Sequence, residues 1–301
     1  MTTYAPDPLT LTDDVFPDAA TERRTRRIWA RLGPVTVTAM ALAGVLVVAA
    51  IFAPLVAPFA PNAGSAANRL EGLGVHGHLL GTDGEGRDIL SRLIYGARLS
   101  LLTGFIPVLV SGVIGSTVGI LAGLGSARVH AGIMRTLDVF YAFPAVLLAI
   151  AIAAALGSGI SNSIIALSVI LIPPVARVAE TETGRIRNAD FLDAARASGA
   201  PWRSIAVRQV LPNVSPAIMV YCTTLIGLSI VYAAGLSFLG LGVSPPTAEW
   251  GLMISDGVQY MLTSPMIALM PAIAILLASV LFNIIGDGLR KVLDVRSERF
   301  V

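Results

Sequence analysis

The sequence predicts an all-α polytopic membrane protein with six transmembrane helices, and three observations carry that prediction. Of the 301 residues, 55% are hydrophobic and 13% charged, too few polar side chains to clothe a water-soluble surface of this size. Six apolar runs punctuate the chain, on the order of the ~20 residues that a helix needs to cross a bilayer. Basic residues sit on alternate loops: 17 of the 21 Lys and Arg fall on the side that holds both termini, against Arg69, Arg87, Arg92 and Arg98 on the other. Positively charged loops stay on the cytoplasmic side. The N- and C-termini and the loops at 125–136 and 181–214 are therefore expected there.

In chain order, residues 1–32 hold Asp7, Asp13, Asp14, Asp18 and Glu22 among three prolines, without apolar periodicity. This predicts a disordered cytoplasmic tail, and its acidic start is unlike a secretory signal. Five arginines between 23 and 31 precede the first span, 33–56. The linker 57–98 is expected on the outer side. It carries Pro58, Pro61 and Gly64, then a stretch in which Ile89, Leu90, Leu93, Ile94 and Ala97 share one helical face and Arg87, Asp88, Ser91, Arg92, Tyr95 and Arg98 the other. Such a helix lies in the membrane interface. His76 and His78 form an HxH pair without a carboxylate cluster, which is a poor metal site.

Residues 99–288 carry the other five spans. Leu99–Leu124 has Gly115, Gly119 and Gly123 every fourth residue, a face on which a neighbouring helix packs closely. Leu137–Leu156 follows, then Ser163–Val178, bent near Pro173 and Pro174. Ser215–Val243 is the fifth span; its polar positions Tyr221, Thr224 and Tyr232 are candidates for a substrate path, although helix–helix hydrogen bonds explain them equally well. It runs into Leu236–Gly251, too rich in glycine and proline to continue a helix, so the chain turns back near the outer face. Phe238, Gly240, Gly242, Pro245, Pro246 and Trp250 are the candidate outer-face residues. Pro265–Ile285 is the sixth span, and 289–301 a charged cytoplasmic tail.

Several functions are excluded. Cys222 is the only cysteine, so no internal disulfide or cysteine metal cluster forms. Lys291, the only lysine, follows Arg290, so no GxxxxGK[ST] phosphate loop exists. A net charge of +2 does not suit nucleic-acid binding, and three scattered histidines supply no nucleophile–base constellation. No catalytic residue and no metal site is assigned. An ion-coupled carrier keeps a carboxylate or histidine near the middle of the bilayer, whereas Asp138, Arg177 and Asp287 lie only at span ends. Energy is expected to enter from outside the lipid.

The stretch from Asp193 to Asn213 is where it enters. Asp190 or Asn188 can cap a first short helix, in which Ala194, Ala195 and Ala197 favour helix. Gly199 stops it, and Pro201 suits the first turn of a second piece that Pro212 ends or kinks. The small residues leave a surface open to close approach, ringed by Arg196, Arg203 and Arg208. The pattern Asp193, Ala194, Ala195, Gly199, Leu211, Pro212 resembles the cytoplasmic coupling loop of permease subunits in binding-protein-dependent ABC importers, which usually have Glu where this chain has Asp193. Gly81-Thr82-Asp83, Gly86-Arg87-Asp88, Ser91-Arg92 and the 236–251 segment resemble the second permease subunit of the dipeptide, oligopeptide and nickel branch.

The resemblance implies a type I importer permease fold in a bacterial cytoplasmic membrane. It implies a second permease subunit as heterodimer partner, two ABC ATPase subunits that use ATP and Mg, and an extracytoplasmic substrate-binding protein, with no cofactor bound by this chain. ATPase coupling then falls to Asp193, Ala194, Ala195, Arg196, Gly199, Pro201, Leu211 and Pro212. Peptide import is expected, with nickel or another small solute as the alternative and an ion-coupled carrier behind both.

Overall fold

The computed structural model describes residues 32–297; the expected tail at 1–31 and the last residues, 298–301, lie outside them. Among the described residues, helices account for the architecture. The first, α1 (Pro34–Ile51), opens with proline in its first turn, where the missing N–H costs nothing. One further turn, Ala53–Val56, follows a break at Phe52. The linker then crosses over itself, with isolated bridges pairing Gly64 with Arg87 and Thr82 with Asp88.

The second helix corrects an expectation. No separate interfacial helix forms: α2 runs without interruption from Ile89 to Leu124, through Pro107, about 54 Å at 1.5 Å per residue. Asp88 starts it by accepting from Ser91 N at 2.7 Å. The polar face read as facing water is instead covered by the folded linker, and Arg87, Asp88, Ser91 and Arg92 are all buried. Arg98 donates from Nε to Ala50 O and from Nη2 to Ile51 O, each at 2.6 Å. It thereby satisfies carbonyls that α1 leaves free at its end.

The expected third span, Leu137–Leu156, is also corrected. Residues read as a loop form α3 (Ala127–Tyr141), capped by Ser126, and the chain bends by 87° before α4 (Ala145–Leu156). Pro144 makes the corner. It offers no N–H to continue α3, and its own ψ of 123° turns the chain out of the helix. Next, α5 (Ile160–Ile186) keeps Pro173 and Pro174 within one helix and extends well past Val178. The short α6 (Asp190–Ala197) leads to a turn and then to α7 (Leu211–Phe238), which starts before and ends short of the predicted fifth span. After α8 (Trp250–Val258), α9 (Met266–Ser297) continues as helix beyond Ile285 into the segment read as a tail. Among the described residues, five helices are long and apolar enough to cross a membrane, and six spans result if the bent α3–α4 pair counts as one.

The seam between α2 and α5 is built on small residues. Along α2, Gly115 faces Val175, Gly119 faces Ala176 and Ala179, and Gly123 faces Thr183, all on α5. A Cβ at Gly119 would lie 2.6 Å from the Ala179 Cβ and closer still to the Ala176 carbonyl, so the backbones touch as the spacing predicts. Gly288 of α9 packs in the same way on Thr36 of α1. Gly119→Val is expected to lower stability by about 1–3 kcal/mol through overpacking. Thermal unfolding of the detergent-solubilised protein checks this: a melting temperature equal to that of the parent would contradict the close-packed seam.

Candidate functional site

At one end of the bundle, α6 and the turn after it form an exposed platform. Leu192 of α6 and Val210 beyond the turn are fully buried, and Ile205 and Ala206 are buried beside them in the chain. These side chains hold the platform down, while Asp193, Ala194, Arg196, Gly199, Pro201, Leu211 and Pro212 are exposed and Ala195 is half-buried. Seven of the eight predicted coupling residues are thus exposed. The cap differs from expectation. Ala189 occupies that position and no side chain caps the helix; Asp190 and Asp193 instead lie in the first turn, where the helix dipole favours negative charge.

Two features fix the tip. Arg196 Nη1 donates to Asp193 at 2.7 Å and Nη2 to Arg187 O at 3.2 Å, folding α6 back on the end of α5. Gly199 adopts a left-handed φ of +76°, and Ala200 N donates to Ala195 O at 3.1 Å, closing the helix end in the manner that glycine permits. Pro212 neither ends nor visibly interrupts the second piece. Wide π-type turns at Ile205–Val210 lead straight into α7, and widening just before a proline relieves its clash with the carbonyl four residues back.

The platform also carries exposed apolar side chains that the pattern reading does not single out. Phe191, Trp202, Val207 and Leu211 are exposed, Trp202 to 57%, with the Arg203 guanidinium 5.7 Å from the Trp202 ring centroid. Exposed apolar groups among arginines mark a surface for protein contact.

The opposite end is organised by buried charge. Asp83 accepts from Glu85 N at 2.9 Å, Arg87 N at 3.0 Å and Arg87 Nε at 2.7 Å, and Arg87 also meets Asp256 at 3.7 Å. Burial raises the Asp256 carboxyl above its ordinary range, with Arg87 and Arg92 pulling it back. Arg92 is 1% exposed. Its Nη1 donates to Pro61 O at 3.2 Å and Pro246 O at 3.2 Å, and Asn62 Oδ1 lies at 3.4 Å. A cavity of about 10 Å³ beside it, lined by Asp83, Met253 and Asp256, has room for one water.

Glu249, absent from the candidate residues, is 1% exposed. Its carboxylate accepts from Ser100 Oγ at 3.0 Å and from Gly251 N and Leu252 N at 2.9 Å, which caps α8. Among the outer-face candidates, Phe238, Gly240, Pro245 and Pro246 are exposed. Gly242 and Trp250 are not. Gly242 packs on Ser237, and Trp250 lies against Gly96 with Nε1 donating to Leu93 O at 3.0 Å, so Trp250 fills the core. Tyr221, Thr224 and Tyr232 are half-buried, Thr224 against Gly286 of α9. His76 and His78 turn to different carboxylates, Glu71 at 2.8 Å and Asp88 at 2.9 Å, and do not converge.

Residues 115–299 match the family described as "Binding-protein-dependent transport system inner membrane component". The glutathione transport system permease protein GsiD of Escherichia coli O6:K15:H31 is 43% identical over 250 residues, 83% of this chain and 82% of that one. A Brucella suis biovar 1 relative whose name assigns it to a peptide transport system as a permease is 41% identical over 252 residues, 84% of each chain. A chain of the MetNI methionine ABC transporter, solved in inward-facing conformations, shares the fold with a TM-score of 0.56 at 21% identity, over 68% of this chain and 97% of that one. An exposed platform on a close-packed helical bundle, the family match across most of the chain and relatives above 40% identity lead to one conclusion: the chain belongs to the inner-membrane permease components of binding-protein-dependent ABC transport systems.

Proposed function

We propose that this chain forms half of the path of an ATP-driven peptide importer. It stands beside a second permease subunit, above two ABC ATPase subunits and below an extracytoplasmic binding protein. The observation that carries the reading is the platform of α6, Gly199 and Trp202: charged, apolar and exposed at the one end where the basic loops gather. The positive-inside rule makes that end cytoplasmic. The relatives named for glutathione and peptide transport support peptides as substrate class, glutathione being itself a tripeptide. ATP and Mg act on the ATPase subunits, and this chain binds no cofactor.

Closure of the ATPase subunits moves α6. Because α5 runs unbroken for 27 residues into the platform and α7 leaves it for 28, that movement passes along both helices and opens the path outward, as alternating access requires. Reconstitution of the chain with its companion subunits in proteoliposomes tests this. ATP-dependent uptake of radiolabelled trialanine or glutathione is the expected result. Uptake of nickel but no peptide would replace the substrate class, and uptake driven by an ion gradient without ATP would overturn the importer reading altogether.

A further inference from the structure

The loop between α7 and α8 is an arch with defined feet. Its rim, Phe238 to Gly240 and Ser244 to Pro246, is exposed. At one foot Leu241 O accepts from Ser163 Oγ at 2.9 Å and Gly159 N at 3.2 Å, binding the arch to the start of α5. At the other, Glu249 and Trp250 are locked to α2 through Ser100 and Leu93. Between the feet, Pro246 O is held by Arg92. That guanidinium also reaches Pro61 and Asn62 in the linker and lies 3.5 Å from Asp83. One buried cation therefore joins three segments that are distant in sequence.

We infer that Arg92 is a positioning residue that sets the arch for docking of the binding protein, an inference that rests on the importer reading above. An arginine held 1% exposed between loop carbonyls and Asp83, its Nε 3.5 Å from that carboxylate and without a hydrogen-bond partner, is an expensive way to stabilise a fold, and apolar side chains of similar volume pack such a site more cheaply. What the guanidinium provides is geometry. Its Nη1 is shared by Pro61 O and Asn62 Oδ1 of the linker and Pro246 O of the arch, so one nitrogen sets the spacing between the two segments. Of its acceptors, Pro246 O belongs to the rim, at the end away from the α6 platform, where a partner named by the family, the binding protein, approaches, and Pro61 and Asn62 tie that rim to the linker.

The test uses the complete transporter in nanodiscs, titrated with its binding protein, with ATP hydrolysis as readout. For Arg92→Gln the expected result is unchanged basal hydrolysis, unchanged maximal stimulation, and a half-saturating binding-protein concentration raised about tenfold, the worth of one lost charged hydrogen bond. Arg92→Lys gives a smaller rise. Ser163→Ala, which releases the other foot, shifts the same quantity in the same direction. A half-saturation value equal to that of the parent, or a lowered maximum at unchanged half-saturation, overturns the inference. If Arg92→Gln does not assemble, the lysine and Ser163 variants decide by the same criterion. A parent complex that the binding protein fails to stimulate at all refutes the importer reading instead, before any variant is compared.

Discussion

Gly199→Val leaves the transporter hydrolysing ATP and inserted in the membrane, but lowers uptake per ATP at least about tenfold. Nothing lies within 4 Å of a Cβ built at Gly199, so the valine does not clash. It suffers from the backbone: φ is +76°, and a left-handed conformation costs a residue with a side chain about 1–2 kcal/mol, most for a β-branched one. The tip relieves that strain by leaving the left-handed region. This breaks the Ala200-to-Ala195 closure and turns the platform away from the ATPase. Asn tolerates this region better than other side-chain-bearing residues, so Gly199→Asn retains most coupling. Measuring uptake and hydrolysis on the same proteoliposomes checks the ordering. Equal losses for Val and Asn would mean that the space beside Gly199, and not its backbone, is what the partner requires.

Glu249→Ala is expected to lower stability by about 3 kcal/mol, more than any other single change considered. The substitution strands the Ser100 hydroxyl and the first amides of α8 in a buried site, and hydrogen bonds to a charged acceptor are worth about 1.5–3 kcal/mol each when one partner is deleted. Glu249→Gln keeps one acceptor oxygen and loses roughly half as much. Thermal unfolding followed by tryptophan fluorescence reads this directly, since Trp250 is buried beside the substituted residue. A Glu249→Ala protein as stable as the parent would show that α8 does not depend on its carboxylate cap.

The contrast between these two residues shows what a sequence discloses. Gly199 was legible because a glycine between a short alanine-rich helix and a proline has one structural use, a left-handed stop. Glu249 was not, because a lone acid in a loop looks the same whether solvent or three donors surround it, and its donor Ser100 is 149 residues away. The Gly115, Gly119 and Gly123 stripe was legible for a similar reason: small residues at helical spacing imply a close neighbour. Arg87 and Arg92 misled because a helical wheel records only that one face is polar. Whether that face meets water or a folded linker depends on irregular backbone between 57 and 88, which has no periodicity to read. The corner at Pro144 hid inside an apolar run, where hydropathy stays high through a bend that the proline alone reveals.

The family match begins at residue 115, so α1 and most of α2 precede it, yet α1 is not a loose addition. At one end its last carbonyls are gripped by Arg98 of α2, and at the other Thr36 seats on Gly288 of α9. A rod pinned near both tips to two different neighbours acts as a splint. It holds the outer end of α2 and the last turns of α9 at a separation set by its own length, so a helix outside the family match braces two helices at once.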